Sequence, residues 1–180
     1  MKGWALIVGA RGTGKSSLSA HVITDLLERG VAVAGVVQEA IAEGDERVGY
    51  RARRAGKGDS VVVARKGAAR APDEDTSCSF AFDTGAFADV RRWLAEDTRA
   101  GGVVLIDEVS KAEVAGGGHY DAIVDAVKSP ALVILAVRAD QLFYVMEKLG
   151  LEEPVASLET AEPGALDAFV SAVTLAARAP

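Results

Sequence analysis

With 180 residues, 20 Lys+Arg against 26 Asp+Glu and 49% apolar side chains, the chain has the size of one domain (1–180) that buries about 70% of its unfolded surface without staples. Its one cysteine, Cys78, excludes a disulfide framework or a multi-Cys zinc site and fits a reducing compartment, and a charged fraction of 26% excludes a disordered chain. Apolar runs such as Ala131 to Val137 fall far short of the roughly 20 residues of a spanning helix, and the leader-like start Met1-Lys2 and Trp4 to Ala10 is broken by Arg11, so the expected location is cytoplasmic.

The elements follow in order. Trp4 to Val8 is a short buried strand that runs into a Gly-rich turn, and Lys15 to Arg29 then has helical period, with Leu18, Val22, Ile23, Leu26 and Leu27 as its buried stripe and Gly30 as its stop. Val31 to Val37 is continuous and rich in Val, the pattern of a strand covered on both faces. Arg47 to Arg53 and Ser60 to Arg65, joined by Ala55-Gly56-Lys57-Gly58-Asp59, predict a β-hairpin, so the hairpin region spans about 46–66. Lys66 to Ser79 reads as a loop around Pro72, followed by a short strand Phe80 to Phe82 and a helix capped by Asp83 or Thr84 and running to about Thr98. Val103 to Ile106 is the next buried strand, ending in Asp107-Glu108. After Gly116-Gly117-Gly118 come a helix His119 to Lys128, a strand Ala131 to Val137, and a helix capped by Asp140 and ending near Leu149. Val155 to Leu158 is a weak strand, and Pro163 opens a last helix to about Arg178. Strands alternating with helices predict an α/β fold of three layers, a mostly parallel sheet with helices on both faces and the hairpin inserted into it.

The net charge of −6 averages two unlike parts. Arg47, Arg51, Arg53, Arg54, Lys57, Arg65, Lys66 and Arg70 face only Asp59 within their stretch, +7 in all, which leaves −13 for the rest.

Gly9-Ala10-Arg11-Gly12-Thr13-Gly14-Lys15-Ser16 satisfies G-x-x-x-x-G-K-[ST], placed between a buried strand and an amphipathic helix. Glycines let successive N–H groups point into one concavity, and the following helix adds the positive end of its dipole. The loop from Gly9 to Ser17 is therefore the expected phosphate binder, with Lys15 neutralising phosphate charge and Ser16 a ligand for Mg²⁺. Asp107, at the carboxyl end of a buried strand, is the second candidate for the metal, and Glu108 is placed to polarise an attacking water. Glu113, five residues beyond Glu108, is a candidate to orient water or hold its loop. Arg138 follows a strand and could touch a phosphate or be an ordinary strand-end arginine. Neither His21 nor His119 has companions at metal-ligand spacing.

Beyond the loop, Gly35-Val36-Val37-Gln38-Glu39, Arg47-Val48-Gly49-Tyr50 and Asp107-Glu108-Val109-Ser110-Lys111-Ala112-Glu113 resemble the small cancer-related nucleoside-triphosphatase family first seen in thermophiles. Its members carry a Gly-x-x-Gly-x-Gly-Lys loop, an Arg-x-Gly-Phe-like hairpin and a strand ending Asp-Glu-Ile-Gly-x-x-Glu. The resemblance implies a RecA-like P-loop NTPase fold and Mg²⁺-dependent hydrolysis of the γ-phosphate of ATP or GTP with loose base preference. It places Gly9, Gly12, Gly14, Lys15 and Ser16 on the phosphates and Mg²⁺, Asp107 on the metal and Glu108 on the water. Departures are Ser110 for the usual Gly, Ser16-Ser17 for Thr-Thr, and the loose match of Gln38-Glu39. Val37-Gln38 and Glu113 to Gly118 also resemble a sister bacterial group of unassigned function associated with molybdate uptake genes; its members tend to lack the Asp-Glu pair that this chain keeps.

Two other classes stay open. One is a nucleotide-gated adaptor in metal-cofactor or transport biology, with the basic region docking an acidic protein; with Tyr50 as its sole aromatic, that region is no stacking platform for nucleic acid. The other is a nucleotide or nucleoside kinase, which needs an Arg-rich lid, whereas only Lys148 and Arg178 follow Arg138. No membrane partner is expected.

Overall fold

In a computed structural model the chain is described over residues 3–67, 80–98 and 102–179. In chain order the elements are β1 (Trp4–Gly9), α1 (Lys15–Glu28), β2 (Val33–Glu43), β3 (Glu46–Arg54), β4 (Ser60–Lys66), β5 (Phe80–Phe82) and α2 (Thr84–Thr98). Then come β6 (Val103–Val109), the one-turn α3 (Lys111–Val114), α4 (Tyr120–Lys128), β7 (Leu132–Arg138), α5 (Leu142–Leu149), β8 (Ser157–Glu159) and α6 (Leu166–Arg178). Cys78, Arg70, Pro72 and the rest of the expected loop from 68 to 79 lie outside the described residues.

All eight strands form one sheet in the order β5-β4-β3-β2-β6-β7-β1-β8. From β2 to β8 neighbouring strands run parallel, while β3, β4 and β5 add to the β2 edge antiparallel. The hairpin is thus a wing that continues the main sheet. It begins one turn earlier than expected: β2 runs on to Glu43 and returns through Gly44-Asp45, so β2, β3 and β4 form a meander. The Gly-Asp pair between Glu43 and Glu46 is the turn signal for this.

Each face of the sheet carries its own core. Leu18, Val22, Ile23 and Leu26 of α1 and Phe169, Val170 and Val173 of α6 pack on Ile7, Leu105, Leu132 and Ile134. On the opposite face Val90 and Leu94 of α2, Ile123 of α4 and Val145 of α5 pack on Leu6, Val36, Ile106 and Leu135. Alternate residues of β6 and β7 therefore serve different cores, which explains why both strands read as unbroken apolar runs.

Four expectations need correction. Leu27 is 43% exposed rather than part of the stripe, because the buried face of α1 ends at Leu26. Val31 is not in the strand, since its N–H bonds Leu26 O at 2.9 Å to close α1, and β2 starts at Val33. Asp140 does not cap α5: it lies in a 3₁₀ turn (Ala139–Gln141) and binds Arg138 instead. Pro163 likewise opens a 3₁₀ turn ahead of α6. Asp83 does cap α2, accepting the Ala86 N–H at 3.1 Å.

Candidate nucleotide site

The loops after β1, β6, β7 and β8 all leave the carboxyl edge of the parallel strands, where α/β sheets gather ligands. Three chain features converge there. Residues 10–14 turn from β1 into α1, and Gly14, the N-cap of α1, has φ 93°, a left-handed conformation that costs glycine nothing. No side chain caps this helix, so its first N–H groups stay available to an anion. Gly9 is constrained from outside: a Cβ there would stand 2.2 Å from Thr160 Oγ1 and 2.7 Å from Thr13 Oγ1. Those two hydroxyls lie 2.8 Å apart and tie the loop to the end of β8. Thr160 escaped sequence reading because nothing local marks it; only the pairing of β8 with β1 brings it there.

Lys15 is 4% exposed, and its Nζ donates to Ala10 O of its own loop at 3.0 Å. Arg11, Gly12, Gly14, Lys15, Ser16 and Ser17 form one wall of a cavity of about 440 Å³, and Glu108 lies on it too. The other wall comes from β2 and the wing: Val37, Gln38, Glu39, Ala40, Arg47 and Tyr50.

The two carboxylates owe their places to a bulge. Strand β6 does not stop at Ile106; it pairs Ile106 with Leu135 and Val109 with Val137, so Asp107 and Glu108 together oppose the single residue Ala136. The extra residue breaks the alternation and re-aims both side chains. Asp107 turns inward and is fully buried, accepting the Gln38 N–H at 3.1 Å, the Glu108 N–H at 2.9 Å and a bond from the Ser16 hydroxyl. Burial pushes its carboxyl up to about 6 against the pull of these bonds. Glu108 takes φ 61°, alone among described non-glycine residues in being left-handed, and faces the cavity. Such backbone strain in a residue other than glycine is concentrated at functional sites.

The remaining candidates fall outside the cavity. Glu113 is 5% exposed and accepts the Ser110 N–H at 2.8 Å and the His119 N–H at 3.1 Å, so it holds its loop and does not reach the cavity. Burial raises its carboxyl to about 7. Gly118 makes room for it, since a Cβ there would lie 2.2 Å from Glu113 Oε1. Arg138 stands beside Gly9 in the β1–β7 register, but its guanidinium donates to both oxygens of Asp140, at 2.6 and 2.8 Å. His119 is 2% exposed, its ring edge-on to Phe87 at 4.9 Å and both nitrogens without a hydrogen-bond partner among the described residues. Burial lowers it to about 4, and since no group of three or more potential ligands occurs among the described residues, the ring is a core element.

The +7 stretch is less free than its sum suggests. Arg54 turns into the sheet and binds Asp97 at 2.6 Å, with Glu96 and Asp59 around it; Lys57 shares Asp97, Arg53 binds Glu39, and Lys66 pairs with Glu46.

Comparison with known proteins follows the same lines. The nucleoside-triphosphatase THEP1 of Methanopyrus kandleri is 28% identical over 153 residues, 83% of this chain and 81% of that protein. The solution structure of a human cancer-related nucleoside triphosphatase superposes with a TM-score of 0.72 at 17% identity, covering 94% of this chain and 96% of the other. The crystal structure of THEP1 from Aquifex aeolicus gives 0.68 at 17% identity, over 94% and 98%. The family model described as NTPase matches residues 5–162, a span that holds both the glycine loop and the bulged Asp107–Glu108 strand; the chain belongs to the NTPase family.

Proposed function

We propose that this chain hydrolyses the γ-phosphate of nucleoside triphosphates in a Mg²⁺-dependent reaction with loose base preference. The observation that carries the reading is the meeting of Lys15, Ser16 and Glu108 on one cavity, with Ser16 bonded to the buried Asp107. A serine hydroxyl beside a carboxylate is an all-oxygen donor set of the kind Mg²⁺ takes together with water and substrate phosphates. Ser16 and Asp107 would hold the ion, and its chemistry there is to neutralise charge on the phosphate oxygens. Residues Gly9 to Ser17 receive the phosphates through backbone N–H groups, and Lys15 exchanges Ala10 O for phosphate oxygen. Glu108 orients a water in line with the γ-phosphorus and takes its proton as the new P–O bond forms and the bond to the β-phosphate oxygen breaks. The products are the nucleoside diphosphate and inorganic phosphate.

The kinase alternative finds little support, because Lys148 stacks on Tyr120 at 5.4 Å and Arg178 donates to Arg29 O at 2.7 Å, neither on the cavity. For a nucleotide-gated adaptor that docks an acidic protein, the pairing of Arg53, Arg54, Lys57 and Lys66 leaves a much weaker basic surface than the composition implied. Among the described residues no helix is long and apolar enough to cross a membrane. Cytoplasmic residence remains part of this reading, and a nucleic-acid partner does not.

Phosphate release from ATP, GTP, CTP and UTP with Mg²⁺, with and without small phosphoryl acceptors, tests the proposal. Release to water from several bases is the expected result; transfer only to an acceptor would select the kinase. In Glu108→Gln, kcat should fall by roughly 10²–10⁴-fold while nucleotide affinity persists.

A further inference from the structure

We infer, building on the hydrolytic reading above, that Arg47 supplies from within the chain the cation that the terminal phosphoryl group meets as charge develops on it.

Among the described residues, Arg11 and Arg47 line the cavity and Arg138 stands beside Gly9 at the end of β7. Arg138 is neutralised by a two-point bond to Asp140 and does not line the cavity. Arg11 lines it from the loop itself, yet its side chain makes no hydrogen bond among the described residues, so nothing fixes its charge in one place. Arg47 lines the same cavity and is held. Its guanidinium lies over the Tyr50 ring, 5.5 Å from the centroid, and donates to Tyr50 Oη at 3.0 Å. Tyr50 is itself fixed by an edge contact with Phe80, centroids 5.1 Å apart at 65°.

The partner matters as much as the position. Arg53, Arg54, Lys57 and Lys66 of the wing all bind carboxylates, whereas Arg47 binds only a neutral phenol among the described residues and keeps its full charge. A fixed, unneutralised cation on the wall facing a phosphate loop costs little reorganisation when negative charge appears before it.

A second bulge builds this arrangement. In the β2–β3 ladder Ile41 faces Gly49 and Ala42 faces Arg47, so Val48 is an extra residue. In a regular strand positions 47 and 50 would project to opposite faces. The inserted residue reverses the parity and brings Arg47 onto the face of Tyr50, which is what their contact requires. The two bulges, at Asp107–Glu108 and at Val48, thus aim a base and a cation at the same cavity.

The test is steady-state hydrolysis by Arg47→Ala, Arg47→Lys, Tyr50→Phe, Arg11→Ala and Arg138→Ala, with binding of ADP alone and of ADP with aluminium fluoride as a transition-state mimic. Arg47 is exposed and Tyr50 half-buried, and thermal melts check that every variant is folded. Arg47→Ala should lose about 100-fold or more in kcat with KM and ADP affinity within about threefold of wild type, and lose affinity for the ADP–aluminium fluoride complex in step with kcat. Free guanidinium should restore part of the Arg47→Ala turnover. Tyr50→Phe, which keeps the ring and removes the acceptor, should show a smaller loss of the same kind, as expected of a positioning residue. The inference is overturned if Arg47→Ala keeps wild-type kcat, if its defect lies wholly in KM, or if Arg11→Ala or Arg138→Ala takes the transition-state defect instead. Failure of the base assignment is separately visible: Glu108→Gln would then turn over normally while Arg47→Ala did not. Should the wild type release no phosphate from any triphosphate, the hydrolytic reading falls, and the aluminium fluoride binding comparison still decides the role of Arg47.

Discussion

The parallel half of the sheet and its antiparallel wing meet at β2 and solve different problems. In β6 and β7 nearly every side chain is sealed between two helical layers, and at their carboxyl edge the proposed phosphate site uses backbone N–H groups and Lys15, with the two bulged carboxylates proposed for the metal and the water. The wing has helix cover on one face. Ala52 and Val63 pack toward α2 while Arg51, Arg53 and Arg65 face water, and its contribution to the cavity is side chains, Arg47 and Tyr50. On the reading proposed above, one half offers the phosphates backbone groups and the other a side-chain cation, so one sheet combines two kinds of recognition.

Substitutions can separate the halves. The largest expected effect belongs to Lys15→Ala: loss of a buried cation opposite phosphate costs about 2–5 kcal/mol, at least a 30-fold loss of nucleotide affinity by calorimetry. Arg51→Ala and Arg65→Ala, cations of the wing off the cavity, should leave that affinity unchanged. Retained affinity in Lys15→Ala would mean that the two halves share phosphate binding.

Next is Arg54→Met. Arg54 and Asp97 are 8% and 7% exposed in their side chains, and Arg54 also lies over the Trp93 ring at 5.8 Å. Burial would push Asp97 up, but hydrogen bonds from Arg54 and Lys57 outweigh it and hold the carboxyl below its usual range. Removing Arg54 leaves Asp97 with Lys57 alone and should cost about 3 kcal/mol in denaturant melts. kcat of the folded variant should stay at the wild-type level, since the ion pair clamps the wing to α2 without touching the cavity.

The effect that is smallest at neutral pH grows on acidification and lies on the α2 face. Burial depresses His119 from 6.5 to about 4, so its stabilising contribution is whole above pH 6.5 and disappears as pH falls to about 4. Over that window the loss approaches roughly 3 kcal/mol. Glu113, raised from 4.5 to about 7, acts with opposite sign: its contribution is whole below pH 4.5 and lost as pH rises toward 7. His119→Phe keeps the backbone N–H that Glu113 accepts, so the difference between variant and wild-type melts isolates the histidine. The variant should gain on wild type steadily as pH drops from 6.5 to 4. Parallel curves would show that water reaches the ring.

Much of the parallel half was legible because its information is local. A glycine loop between a buried run and an amphipathic helix marks a candidate phosphate site, and a buried strand ending in Asp-Glu marks the carboxylates beside it. The bulge at Asp107–Glu108 was not legible, since register depends on the neighbouring strand; the sequence reading therefore stopped β6 at Ile106. Thr160 and the Arg47–Tyr50 contact were hidden for the same reason, each needing a pairing between distant segments. Local propensity misled where tertiary contacts prevailed: Leu27 has the spacing of the α1 stripe but the buried face ends at Leu26, and Asp140 has the chemistry of a cap but Arg138 claims its carboxylate. The charge count erred in a more useful way. Much of the +7 is offset by acidic groups outside the window in which it was counted, on β2, α2 and the start of β3.

With Glu108 as the base proposed above, its left-handed backbone sets stability against turnover. A side chain with a Cβ pays about 1 kcal/mol to stand in that conformation, which glycine or asparagine adopts more readily. Selection of variants for heat resistance alone would drift toward those residues at position 108 and yield a sturdier protein that still grips nucleotide and no longer consumes it. Stabilising this fold for laboratory use should therefore start elsewhere, with position 108 left as it is.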